Sequence, residues 1–351
     1  MFIGVLCGAL CAVPGGAAQT PAATPAPRPT LVVAASGAGD FKSVQQAVDA
    51  LPETGGTIRI RPGTYREQIL IAKPHVHLIG LGKNPSQVVL TYNLSHHDTG
   101  STSGSASTTV TGDDFLSENL TFQNTYSDEH PDALVDVQAV ALRVTGDREI
   151  FRHVRILSHQ DTLYADSRTC HAGGGNAASA PKTSGPACLA SRQIYFDSYI
   201  AGTIDFIFGD AKAVFERTEI RSRPHDLGTL TAQSRLYPEE DSGYLFDHCV
   251  LTADPSVTDV YLGRPWRAYS TVIFLHTEMG AQINPAGWIE WEHDGKSGLA
   301  ASFYAEYRST GAGAPHGSAR IPQEKFLTPS DAAKYSIRDF LRGDDNWNPK
   351  P

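Results

Sequence analysis

The sequence predicts an all-β chain wound as one parallel β-helix (a solenoid), with a short helix capping each end. Three observations carry this. A six-residue frame, a large or aromatic residue followed five positions later by a β-former, recurs after residue 110. Few segments after residue 60 show the period of an amphipathic helix. The two clear helical patterns lie near the ends of the folded region, where open strand edges would otherwise invite association. At 351 residues the chain is long for one core. A solenoid lengthens by adding coils, so a single domain over residues 31–351 is preferred to two.

The first charged side chain is Arg28, and before it "MFIGVLCGALCAV" is an apolar run of about a dozen residues. That is too short to span a bilayer and has the length of a signal-peptide core. Residues 1–18 are therefore expected to be a signal peptide, and the missing Lys/Arg n-region suggests a truncated start. A buried or disordered N-terminus is the alternative. Export implies a secreted or extracytoplasmic protein with no membrane attachment after cleavage. Residues 19–30, "QTPAATPAPRPT", read as a Pro/Ala/Thr linker.

The folded region opens with a helix. Asp40 is the expected N-cap, and "FKSVQQAVDAL" puts Phe41, Val44, Val48 and Leu51 on one face. The repeating frames follow: "FLSENL" from Phe115, "FRHVRI" from Phe151, "YFDSYI" from Tyr195, "FERTEI" from Phe215, "LFDHCV" from Leu245 and "FLHTEM" from Phe274. Their shortest spacing is about one solenoid turn, and the longer ones imply loops inserted on one side. "SDAAKYSIRDFL" is the closing helix.

Composition excludes some functions. The net charge of −9 and the lack of any basic run argue against nucleic acid as a partner. Five cysteines fall to three once the signal segment is removed. Cys170 and Cys188 flank a Gly/Ala/Ser-rich loop that a disulfide would staple at its base. Cys249 reads as a buried strand thiol. Histidines at 75–77 and 95–98 lack third and fourth zinc ligands, so no metal is expected. "NLS" at Asn93 and "NLT" at Asn119 match glycosylation acceptors and carry little weight.

Four segments hold polar groups that strand packing would not choose: "DVQAVALRV" with Gln138, "HQDTLYAD" with Gln160 and Asp161, "GTIDFIFGD" with Asp205, and "YLGRPWRAYS" with Arg264 and Trp266. Stacked coils lie ~4.8 Å apart, so equivalent positions on adjacent coils become neighbours. Two aspartates with separated proton affinities can divide nucleophilic and acid/base work. Carboxamide N–H groups can hold an oxyanion, a guanidinium can keep Asp205 ionised, and an indole can face a sugar ring. The blander reading, hydrogen-bonded Gln ladders with Asp161 as a turn residue, stays open on spacing alone.

These segments, in this order, resemble the pectin methylesterases (pectinesterases), with a layout between Cys170 and Cys188 like some bacterial-type secreted members. "FKSVQQAVDALP", "RPGTYREQILI", "GWIEW", "AEYRSTGAGA" and "LTPSDAAKYSIRDFL" extend the resemblance over nearly all of residues 38–350. It implies a right-handed parallel β-helix that hydrolyses methyl esters of galacturonate units in pectin, as a monomer, without metal or cofactor. It also implies Asp205 as nucleophile, Asp161 as proton donor, Gln138 and Gln160 as oxyanion donors, Arg264 as the partner of Asp205, and Trp266 as a substrate contact. Thr102 falls where the family has a substrate-contacting threonine, but "TSGSASTTV" departs from the family pattern there. Three rivals remain. One is a polygalacturonase-like hydrolase using Asp113 and Asp114 in "TGDDF". Another is a sugar-binding solenoid without catalysis. The third is an esterase of the same fold acting on another acyl group, such as a thioester.

Overall fold

The computed structural model describes residues 28–168, 191–291, 298–315 and 320–350, together with residues 1, 3 and 4. Three parallel sheets of 11, 8 and 7 strands run along its length. Each full coil gives one strand to each sheet. Arg192–Phe196, Tyr199–Gly202 and Ile207–Gly209 make one such coil. Lys212–Glu216 then returns to the 11-stranded sheet beside Arg192–Phe196. The expected Cys170–Cys188 disulfide, the signal segment and nearly all of the linker lie outside the described residues.

Alternation along the strands decides what is inside. In the 11-stranded sheet Phe151, Tyr195, Phe215, Phe246 and Phe274 pair in register on successive coils. Their rings stack at 4.7, 4.9, 4.5 and 4.6 Å between centroids, and all five are fully buried. Each such contact is worth ~0.5–1.5 kcal/mol beyond burial, so the ladder fixes register as well as filling the core. Two of the six expected frames prove to be off register. Phe246 and Leu251, not Leu245 and Val250, join the stacks. Ser117 and Phe122, not Phe115 and Leu120, are the equivalents of Phe151 and Ile156. Phe115 precedes its strand but still meets Phe151 at 5.6 Å, so a residue of the right type stands two positions from the right place.

Corners between the 11- and 8-stranded sheets turn on one residue with left-handed backbone. These are Asn119, His153, Asp197, Arg217, His248, His276 and Arg308, with φ between 46° and 56°. Only a minority of non-glycine residues adopt that conformation, and here the ladders on both sides hold it. Asn119 thus sits in a corner, not in a strand, and its amide donates to the carbonyls of Gly80 and Gly82. Cys249 follows the His248 corner residue. It is buried, and burial pushes its thiol up to about 12.

The opening helix is Val44–Ala50, and its N-cap is Ser43, not Asp40. The Ser43 hydroxyl accepts from the Gln46 N–H, while the Glu67 carboxylate takes the Val44 and Gln45 N–H groups. Asp40 instead accepts from Val32 N–H. The helix packs on strands of two different sheets and so lies across the open end of the coil. The closing segment breaks into helical turns Pro329–Ala332 and Ile337–Leu341. These pack on the outer face of the 11-stranded sheet, against Ile194, Val214, Leu245 and Ile273, rather than over the far end.

Candidate functional site

The chemistry-bearing segments meet at the corner that leads into the 7-stranded sheet. Leu163 pairs with Ile207. Asp161 and Asp205, each two residues earlier, therefore occupy equivalent positions on adjacent coils. Both have left-handed backbone, with φ of 63° and 48°, a conformation aspartate tolerates better than most residues. Asp161 N–H donates to Ile204 carbonyl at 3.1 Å, which ties the two corners together.

Both carboxyls are buried, with Asp205 only 4% exposed. An ionised group there needs partners. Arg264 supplies them. Its Nε donates to Asp205 Oδ1 at 3.0 Å and its Nη2 to Oδ2 at 2.7 Å, a two-pronged pair. The Thr229 hydroxyl also donates to Asp205 Oδ1, at 2.7 Å, and accepts from the Asp205 N–H at 2.8 Å. On the other side of the pair, the Arg264 guanidinium lies 4.2 Å from the centre of the Trp291 ring. Gly263 allows this placement: a Cβ there would stand 2.0 Å from Thr231 Oγ1.

Asp161 differs. Burial pushes its carboxyl well above the usual range, the Asp205 charge adds to this, and Arg264 opposes it only in part. Two neighbouring aspartates thus stand in different electrostatic settings, one held by a cation and one pushed toward its protonated form by burial.

Gln138 and Gln160 lie on the neighbouring coils, joined by the Ala139 N–H donating to Gln160 carbonyl at 3.2 Å. Both side chains are half-buried, and the Gln138 Oε1 is buried without a partner. Thr102 lies in a short turn, where its hydroxyl is 3.2 Å from His96 Nδ1. The His96 N–H in turn donates to Gln138 carbonyl at 2.8 Å, so Thr102 approaches the site through His96. Trp266 is half-buried against the outer face of the 7-stranded sheet, where Tyr164 stacks on Phe208 at 4.1 Å and both rings flank the indole.

Sequence reasoning misses Thr229 and Trp291. Trp291 sits in "GWIEW", a closing segment to which the sequence alone gives no role. Thr229 carries no local signal; only the register of Ile207 on Thr231 brings it level with Asp205. The rival pair Asp113 and Asp114 serves a corner elsewhere. Asp114 takes the Arg148 guanidinium at 2.7 and 2.8 Å, and Asp113 accepts from the Asp147 N–H.

Fold and site together define a parallel β-helix protein with a paired-carboxyl centre beside an aromatic patch. The chain belongs to the pectinesterase family, whose model matches residues 30–171 and 187–344. It is 36% identical over 330 residues to a pectinesterase of Daucus carota, covering 90% of this chain and 93% of that protein. It is 35% identical over 334 residues to a probable pectinesterase/pectinesterase inhibitor of Arabidopsis thaliana, covering 91% of this chain but 53% of the relative. The chain thus spans about half the length of relatives of that kind. The solved pectin methylesterase from carrot superposes with a TM-score of 0.76 at 32% identity, covering 94% of this chain and 99% of that one. These are plant proteins, so what is shown is membership of the family, not of a bacterial branch. The loop that suggests such a branch lies outside the described residues.

Proposed function

We propose that this chain hydrolyses the methyl esters of galacturonate units in pectin, releasing methanol and leaving the carboxylate, with no metal or cofactor in the reaction. The observation that carries the reading is the two-pronged hold of Arg264 on Asp205 beside the buried Asp161, whose carboxyl burial pushes upward. Family membership supports the ester and the sugar acid.

The Asp205 carboxylate attacks the ester carbonyl carbon. Negative charge moves to the carbonyl oxygen, where the Gln138 and Gln160 amide N–H groups receive it. The tetrahedral centre collapses, the C–OCH3 bond breaks, and the Asp161 proton passes to the departing methoxyl oxygen. An anhydride links Asp205 to the substrate. Asp161, now a carboxylate, takes a proton from water, whose oxygen attacks the acyl carbon. Asp205 leaves as a carboxylate, Arg264 receives it, and Asp161 is protonated again. Trp266 offers flat apolar surface to the sugar rings, backed by the buried Tyr164 and Phe208, with Thr102 as a more distant contact.

The apolar start of the sequence supports export to an extracytoplasmic space, and no helix among the described residues is long and apolar enough to cross a membrane. We expect the protein to act there as a monomer. The deciding experiment is an assay of purified protein on highly methylated pectin. Methanol release without new reducing ends is expected. New reducing ends without methanol would overturn the reading in favour of chain cleavage.

A further inference from the structure

We propose that Asp247, His248 and His276 form a surface site for a divalent transition-metal ion of the zinc type, separate from the paired carboxyls. It lies at the corner between the 11- and 8-stranded sheets, whereas the paired carboxyls lie at the corner leading into the 7-stranded sheet. Asp247 ends the strand Gly243–Asp247 and pairs with Leu275, the last residue of Thr271–Leu275. His248 and His276 are therefore the same corner residue on successive coils. Both have left-handed backbone, which points their side chains the same way, and their rings stack at 4.6 Å with an interplanar angle of 23°.

The donors converge. His248 Nδ1 lies 2.8 Å and His276 Nδ1 3.0 Å from the same Asp247 Oδ1, and one donor atom from each of the three residues lies within 4.8 Å of the others. Metal bonds of ~2.0–2.1 Å put adjacent donors ~2.9 Å apart at a right angle and ~3.4 Å apart at the tetrahedral angle. The observed separations match the first and need only a small opening for the second. Two imidazoles and one carboxylate suit zinc, copper or nickel, and are a poor set for calcium or magnesium. His248 is 59% exposed on its side chain, which leaves room for water to complete the coordination.

Neighbouring charge does not forbid a cation. Arg217, at the same corner one coil earlier, is held by Asp197 at 2.7 and 3.0 Å. Arg308, one coil later, lies over the Tyr307 ring at 5.1 Å. A bound ion would replace the Nδ1 protons and tie two coils together. The two histidines are distant in sequence, and only the coil register makes them neighbours.

The test is calorimetric titration of zinc alone into the full chain at pH 7.5. One ion per chain with a micromolar dissociation constant is expected, and the double variant His248→Ala/His276→Ala should bind at least ~10-fold more weakly. At about a hundredfold excess over the wild-type dissociation constant, zinc should raise the thermal midpoint of the wild type by about 2–4 °C and that of the variant by about half as much or less. The proposal is overturned if the wild type shows no saturable binding, or if the double variant binds as the wild type does. Should the double variant fold poorly, His248→Gln serves in its place with the same two readings.

Discussion

Two pairs of aspartates stand at opposite ends of the same two strands, Leu163–Ala165 and Ile207–Gly209. Asp161 and Asp205 precede the strands; Asp166 and Asp210 follow them. Each pair stacks across adjacent coils, because Leu163 is in register with Ile207. Both pairs are buried. What separates them is the set of partners. Asp205 has a guanidinium across both oxygens and stands beside a second, proton-bearing carboxyl, with two glutamine side chains close by in sequence and coil. Asp210 is sealed by the Ser167 N–H and hydroxyl at 2.8 and 3.1 Å, and Asp166, which shares a hydrogen bond with it, meets Arg143 at 3.1 Å. Burial pushes the carboxyls of Asp166 and Asp210 upward. In the proposed reaction the first pair exchanges its proton with a substrate; the second is closed by its own hydrogen bonds. Buried carboxyls alone therefore do not mark an active site; the placement of the cation and of nearby amide donors does.

The largest effect should come from breaking the first pair. Asp205→Asn and Asp161→Asn keep the shape but cannot attack an ester or pass a proton. Each should lower methanol release by about 10³ or more, with the unfolding transition little changed. Asp210→Asn should do the reverse. It replaces the carboxylate that accepts from the Ser167 N–H and hydroxyl with an amide, and should cost about 1–3 kcal/mol of stability while kcat stays within a few fold. Urea unfolding and methanol release on the three variants test the contrast. If Asp205→Asn keeps wild-type turnover, or Asp210→Asn loses it, the two roles have been assigned the wrong way round.

Next in size is the cation that distinguishes the pairs. Arg264→Lys keeps the charge and loses the fork, so Asp205 is held at one point instead of two. We expect kcat to fall about 10²-fold with KM changed less. Full kcat would show that Thr229 and other groups suffice.

Much of this is legible in the sequence, for a physical reason. Polar side chains of the candidate site interrupt apolar strand patterns at corners, and an aspartate inside "GTIDFIFGD" cannot be explained by packing. The solenoid itself shows in the recurring aromatic frames, although two of them fall one or two residues off register. Contacts between coils are not legible. Thr229 looks like any strand threonine, and Asp40 and Ser43 are both acceptable helix caps. In each case the choice is made by a partner far away in sequence: Ile207 sets the level of Thr231, and Glu67 supports the cap at Ser43.

A smaller effect should follow from the aromatic patch. Trp266 packs against Tyr164 and Phe208, so Trp266→Ala should raise KM about 10-fold by removing a stacking face, with kcat reduced less. Equal falls in kcat and kcat/KM with KM unchanged would mean that the indole acts only in the transition state, and the patch would then belong to the reacting centre.

The smallest effect on activity should come from Asp166→Asn, and it is read in the pH dependence of stability. Burial raises the Asp166 carboxyl above its ordinary value of 3.8, Asp210 raises it further, and Arg143 opposes both. Unfolded, Asp166 releases its proton near that ordinary value; folded, it keeps it. Between the two, the native state binds more protons than the unfolded one, so stability falls as pH rises. The amide introduced by Asp166→Asn can donate to Asp210 as the protonated acid does, but it has no proton to lose. Stability of the variant relative to the wild type should therefore improve as pH rises above about 4, by up to ~1.4 kcal/mol per pH unit while Asp166 alone accounts for the difference. Urea midpoints between pH 4.5 and 7.5 provide the measurement, with methanol release expected to stay within a few fold of wild type. Parallel pH dependences in the two proteins would mean that Asp166 is ionised in the native state. The second pair would then be an ion cluster centred on Arg143, and the contrast with Asp161 and Asp205 would have to rest on access to substrate alone.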